Sequence, residues 1–367
     1  MIAGMRTVVL ALSLAGCGRV NFDATGDAGI VDPPLPDAAT FTAPCDVATL
    51  VGTGDVATPF GVAAEANLYR ATWLDSSKVV HVLGVERTGD AIAVNERTFG
   101  ASAFLPQPAG ADVELLAGRT VSIMWGTSQT TVRQLIGSQL GTGRSTAYGA
   151  LITDLGRNGT QMFMLLPGGD LRVQTVDPTM LTYGSSSLVD MQMTEQQQVI
   201  GIRDGAMLVA ARPNADDCTA WTFSGTLVER GLGNVPADMN SCEEVAAAHA
   251  SIPDQRALAY TYLAATPLIR AQSISELAAP GVPVTLTAGT EPRIASGGFH
   301  FRIAFRTTSG VVRVAKLSPD LAVVGDELLH PTAVGRFALA SNDGEVLAVY
   351  ATTTTPNEIW IKRLCGT

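Results

Sequence analysis

The sequence predicts an all-β fold, a β-propeller of seven four-stranded blades whose ring is closed by the N-terminal strand. Three observations predict it. A unit of apolar strand, short polar turn and second strand recurs seven times between residues 78 and 364. The turns fall at intervals of about 40, 39, 36, 61, 43 and 47 residues, close to the 40–45 expected of propeller blades. Apolar residues alternate with period two, and a period of 3.6 never persists beyond two turns except at Ser241–Ala250, where repeat position still favours a strand.

The chain opens on a signal. Arg6 supplies the positive charge of an n-region, Thr7 to Leu14 form a short apolar run, and Leu14-Ala15-Gly16-Cys17 reads as the cleavage box of a bacterial lipoprotein. A run this short cannot cross a bilayer, which takes roughly 20 residues. Residues 1–16 are therefore expected to be a processed signal peptide, and Cys17 the lipid attachment site, carrying diacylglycerol and palmitate. Residues 17–43 hold four Asp and three Pro with little to bury, and read as the lipidated Cys and a disordered tether. The propeller domain is expected to span 44–367.

The seven hairpins are read at 78–97, 120–137, 161–176, 198–211, 257–274, 300–317 and 345–364. Short segments rich in Ala, Gly and Ser precede six of them: NLYRATWL, DVELLAG, YGALITD, EVAAAHAS, PRIASGG and RFALASN. These are assigned as innermost strands, since crowding at a central axis selects small side chains. Outer strands are expected at ASAFLP, TMLTYG, WTFSGTLV and DLAVVGDELL. The last hairpin has no outer strand of its own, because only Cys365-Gly366-Thr367 follow it, so Cys45–Val51 is the expected donor.

Of five cysteines, Cys17 is spent on lipid, and four remain in an exported chain. Ring closure by the N-terminus places Cys45 beside Cys365. The interval of 61 residues exceeds its neighbours by about 20 and contains both other cysteines, so an insertion stapled by Cys218–Cys242 is expected there. Trp221 would then sit in a loop on a rigid scaffold, a tentative binding position.

The closing unit carries a resemblance. Ala340-Ser341-Asn342-Asp343-Gly344-Glu345, followed by LAVYATTTTPNEIWIKRL, resembles the WD40-like repeat of bacterial envelope propellers, typified by the Tol-associated periplasmic propeller. In that repeat an S-x-D-G turn precedes an apolar strand and a polar turn leads into I-W. The match covers residues 336–364 well, 291–317 less closely and the rest weakly; Phe41–Leu50 is similar to the entry segment of lipoproteins that carry such repeats. The resemblance implies a recognition scaffold of the cell envelope. Gly18, rather than Asp, follows Cys17, which by similarity to the lipoprotein sorting rule implies the outer membrane, on its periplasmic or surface face.

Composition narrows the partners. The chain has 24 Lys and Arg against 34 Asp and Glu, a net charge of −10, and loss of Arg6 with the signal takes it to −11. The bases are scattered, and only three are Lys, so no nucleic-acid partner is expected. The lipid on Cys17 implies a membrane; beyond it, an envelope protein or a small ligand is expected, with the chain a monomer. No cofactor, metal or catalytic residue is assigned. Gly52-Thr53-Gly54-Asp55-Val56-Ala57 imitates a dinucleotide fingerprint but lacks a following helix, and Gly137–Ser145 imitates a phosphate loop with the wrong spacing. His81, His249, His300 and His330 stand far apart, and the acid pairs Asp216-Asp217, Glu243-Glu244 and Asp326-Glu327 would point to opposite strand faces. A binding scaffold is the expected function. The alternative is a glycan- or lactone-directed hydrolase in the central channel, and the discriminator is whether carboxylates converge at the axis or Ala, Ser and Thr line it.

Overall fold

A computed structural model of the chain describes residues 38–100, 109–125, 130–136, 139–140, 144–145, 154–166, 171–189, 196–212, 217–235, 242–250, 254–297, 299–342 and 344–365. Cys17, the signal and nearly all of the expected tether lie outside them. Every regular element among the described residues is a strand, and almost all the strand pairing is antiparallel.

The described chain opens with β1 (Ala39–Thr42) and β2 (Ala48–Gly54). A meander follows: β3 (Gly61–Glu65), β4 (Leu68–Leu74), β5 (Val80–Thr88) and β6 (Ala91–Phe99), with β1 added on the free edge of β6. Next come β7 (Gly110–Leu116), β8 (Arg119–Trp125) and β9 (Thr130–Ile136), edged by the two-residue strands β10 (Gln139–Leu140) and β11 (Arg144–Ser145). A third sheet holds β12 (Asp154–Arg157), β13 (Met162–Leu166), β14 (Leu171–Val176) and β15 (Tyr183–Val189). A fourth holds β16 (Gln196–Ile202), β17 (Gly205–Arg212), β18 (Asp217–Ser224) and β19 (Glu229–Val235).

Then β20 (Cys242–Ala250), β21 (Gln255–Tyr262), β22 (Leu268–Ile274), β23 (Val284–Gly297), β24 (His300–Thr307), β25 (Val312–Leu317) and β26 (Val323–Leu328) run as one seven-stranded sheet. The long β23 serves two meanders: residues 284–288 pair with β22, and residues 289–297 pair with β24. The last sheet is β27 (Val334–Ser341), β28 (Glu345–Thr352) and β29 (Asn357–Cys365), with β2 as its outer strand.

Burial within a meander follows strand rank. β28 is buried at every position, whereas β15 and β26 alternate or face solvent. A second strand is covered on both faces and reads as a continuous apolar run; an outer strand packs one face only. The core lies between neighbouring sheets. Phe163 and Leu165 of the third sheet meet Trp221 and Phe223 of the fourth, and Tyr69 and Trp73 of the first meet Leu347, Val349 and Ile361 of the last.

Four assignments change. Leu68–Leu74 is the second strand of its meander, not the innermost; that place belongs to β3, a shorter strand of small residues. Residues 198–211 are the first and second strands of the fourth meander, not its second and third. With that shift the excess interval shrinks, and the described residues between 204 and 265 form regular strands, β18 and β19 among them, in place of the expected insertion. Finally, Ala39–Thr42, inside the span read as tether, pair with Ala91–Val94. The expected outer strand ASAFLP lies outside the described residues, and TMLTYG is mainly the turn that precedes β15.

Candidate functional site: the axial cavity

The innermost strands meet in sequence, β3 with β7, β7 with β12, β12 with β16, β16 with β20, β20 with β23, β23 with β27, and β27 with β3. They converge on a cavity of about 880 Å³ to which all of them contribute. Their approach is close enough to select glycine. A Cβ on Gly156 would stand 2.3 Å from the Val199 carbonyl oxygen, and one on Gly201 would stand 1.8 Å from that of Arg157.

Innermost strands splay and cannot complete a ladder with each other, so backbone groups facing the neighbouring sheet need other partners. Side chains supply them at each joint. Glu65 accepts the N–H groups of Ala117 and Gly118, both at 2.8 Å. Asp112 Oδ2 accepts Leu155 N–H at 2.9 Å, Asp154 Oδ2 accepts Val199 N–H, and Gln198 Oε1 accepts Ala247 N–H at 2.8 Å. Glu244 accepts Glu291 N–H, and the Ser296 hydroxyl donates to the His249 carbonyl at 2.6 Å. Arg306 donates to the carbonyls of Val334 and Gly335, and Asn342 to that of Ala66.

This circuit brings three carboxyl groups to one side of the cavity. Asp112 and Asp154 interact directly, and burial drives both above the ordinary carboxylate range, which favours one proton held between them. Glu114, on the same face of β7 as Asp112, is pushed up to about 7 by burial, against the pull of the Arg157 guanidinium 3.3 Å away. Arg157 also donates to the Ala64 carbonyl of β3, on the other side of β7. The Trp125 indole, which also lines the cavity, lies over Gly110, where a Cβ would sit 2.3 Å from the ring. Arg293 lines the far wall from β23, and the rest of the lining mixes small residues such as Ala246, Ala248, Ala338 and Ala340 with polar ones such as Gln197, Gln198 and Ser341.

The other sequence-selected residues fall elsewhere. Cys45–Cys365 and Cys218–Cys242 are both disulfides. The second does not staple an insertion: Cys218 is in β18 and Cys242 begins β20, so the bridge ties one sheet to the next. Trp221 is not in a loop. It lies within β18, 3% exposed, in the core shared with Phe163 and Phe223. Gly52-Thr53-Gly54 ends β2 in a ladder with β29. His81 stacks on Trp73 and bonds Glu96 and Asp75, and His249 bonds Asp254. Asp112, Glu114 and Asp154 carry one sequence signal, the D-V-E spacing at 112–114, which puts two acids on one face of an innermost strand.

Near the first disulfide lies a buried polar clasp. Arg363 forks onto Glu345, with Nη2 to Oε2 at 2.9 Å, and donates to Asp90 and the Ala43 carbonyl. The Tyr69 hydroxyl donates to Glu345 Oε1 at 2.9 Å, and Arg87 stands 3.4 Å from the same carboxylate. The clasp joins the entry segment, the first sheet and the last.

No family model matches the chain, and no curated protein does. Among solved structures the chain is similar to BBS1N in complex with ARL6DN, in a crystal soaked with mercury, with a TM-score of 0.56 at 10% identity over 90% of this chain and 97% of that chain. A lead-soaked crystal of the same complex gives 0.52 at 8% identity over 87% and 98%. At these identities the likeness is one of fold, and the fold is that of a β-propeller.

Proposed function

We propose that the chain is a seven-bladed β-propeller, closed by β2 and held to a cell envelope by lipid on Cys17, that acts as a monomeric protein-binding scaffold. The seven meanders, the circuit of innermost-strand contacts and the bridge from Cys45 to Cys365 support the ring. The lipoprotein signal supports the anchor, and Gly18 the outer membrane. The observation that carries the scaffold reading is the fold shared with BBS1N, which was crystallised bound to a protein partner. A domain of this kind presents loops at both ends of a stiff disc, where recognition residues concentrate.

The hydrolase alternative draws on the convergence of Asp112, Glu114 and Asp154. Against it, Asp112 and Asp154 each accept a backbone N–H of the next meander, so the joints account for them, and Glu114 is paired with Arg157. Site-specific photocrosslinking from the loops at each end of the disc, in a bacterial host that lipidates the chain, tests both readings. One protein captured from one end, together with loss of palmitate label and membrane fractionation in Cys17→Ala, is the expected result. Turnover of nitrophenyl glycosides or lactones that disappears in Asp154→Asn, with no protein captured from either end, would move the function to the channel.

A further inference from the structure

The axial cavity is electrically polarised. Asp112 and Asp154 stand on the wall built by β7 and β12, where Glu114 is already paired with Arg157; Arg293 stands on the wall built by β23, separated from the two aspartates in both directions round the axis by other innermost strands. Arg293 donates at 2.8 Å to the carbonyl of its own neighbour, Pro292, and among the described residues no carboxylate lies within ion-pair distance of it. Glu244 and Glu291 feel its charge, but Glu244 holds Thr261 and the Glu291 N–H, and Glu291 is forked by Arg306. Burial lowers the pKa of Arg293, which means its charge is poorly solvated and open to a counter-ion. On the opposite wall the Asp112–Asp154 pair needs a proton to exist, and a ligand cation can take that place. The Trp125 ring, which also lines the cavity, adds a π face suited to an ammonium group.

A simple anion would answer Arg293 and leave the acids opposed to it; a simple cation would do the reverse. A molecule with both charges answers both walls. We infer that the axial cavity binds a small zwitterion, an amino acid or a short peptide, with its ammonium group on Asp112, Asp154 and the Trp125 ring and its carboxylate on Arg293. The volume of about 880 Å³ lies within the range of small-molecule sites. Entry of the ammonium group displaces the proton shared by the aspartates, which leaves to solvent. This site is independent of the scaffold reading, since capture of a protein partner by the loops neither requires nor excludes it.

Isothermal titration of the full mature chain in detergent tests the inference, with alanine and alanyl-alanine as probes. N-acetyl-alanyl-alanine and alanyl-alanine amide are the singly charged controls, and maltose the uncharged one. The uncapped dipeptide is expected to bind, each cap to weaken it about tenfold or more, and titration in buffers of different ionisation enthalpy to report release of about one proton. Arg293→Gln should weaken the uncapped dipeptide and abolish discrimination against the amide. Asp154→Asn should abolish discrimination against the N-acetyl form. Arg293 holds no joint between meanders, so its variant remains decisive if Asp154→Asn fails to fold. Equal binding of capped and uncapped dipeptides, binding of maltose alone, or no heat from either zwitterion with the folded wild type would overturn the inference.

Discussion

Asp154 shows how a single side chain serves a joint at an electrostatic cost. Its carboxyl caps the Val199 N–H and shares a proton with Asp112, in a setting where burial disfavours charge. A carboxyl whose folded pKa lies above its unfolded value adds stability that is fully present below the unfolded pKa. That stability is lost as pH rises through the folded value. Glu114, at about 7, extends the window to neutrality. Wild-type thermal stability is therefore expected to fall between about pH 5 and pH 8. Asp154→Asn keeps an acceptor for Val199 and supplies an N–H to Asp112 in place of the proton. It should flatten the profile and raise stability at alkaline pH by about 1–2 kcal/mol, or roughly 2–6 °C in Tm. Calorimetry across that range checks it; a variant less stable than wild type at pH 8 with an unchanged slope would show that the pair carries no proton. Glu345 is the centre of the other buried polar cluster, where Arg363 and Tyr69 bond its carboxylate and Arg87 stands beside it. Glu345→Ala should cost about 3–5 kcal/mol by leaving Arg363 buried without its partner, and denaturant unfolding reads the loss directly. Of these residues the sequence offers only hints, since a lone acid in an apolar strand does not announce which neighbouring amide it will reach.

At the scale of elements, the same limit separates what was legible from what was not. Second strands such as β28 and β21, buried on both faces, are unmistakable as apolar runs, and their hairpins set the repeat. Strand rank is not marked. The turn Arg203-Asp204-Gly205 fits any adjacent antiparallel pair, and it joins β16 to β17 where a second-to-third connection was expected. That one displacement created an apparent insertion, and with it the placement of Trp221 in a loop. The Cys218–Cys242 pairing is present although the insertion expected to hold it is not: the bridge joins neighbouring sheets. Small residues proved a better guide to innermost strands than position. Gly156→Ala and Gly201→Ala should each drive a methyl group into a backbone carbonyl of the adjoining strand, at a cost of about 1–3 kcal/mol. Gly159→Ala, where a Cβ would meet nothing, should cost far less. Comparing their denaturation midpoints distinguishes crowding at the axis from loss of glycine as such.

On the scale of the whole molecule, the N-terminal segment decides whether the first and last sheets remain neighbours. β1 extends the first sheet, β2 completes the last, and between them Cys45 is bonded to Cys365 across 320 residues. A covalent tie across so long a loop restricts the unfolded chain more than the tie across 24 residues at Cys218–Cys242 does. In the loop-entropy account the two are worth about 5.7 and about 3.4 kcal/mol at most, figures that native-state strain commonly reduces. Replacing both members of each pair with Ser should therefore destabilise the chain more at Cys45 and Cys365, and the excess should appear in a particular place. Without the long tie, β2 is held by its ladder to β29, by Arg363 and its partners and by the flanking bonds of Asp46 and Val56, so the seam between the last and first sheets opens ahead of global unfolding. Hydrogen exchange should then speed selectively in β1, β2 and β29, while β17 and β21 exchange at the global rate. The Cys218 and Cys242 double variant should leave that seam protected and loosen β18 and β20 instead. Uniform acceleration in both variants would mean that the propeller unfolds as one unit and that the N-terminal segment is not its weakest joint.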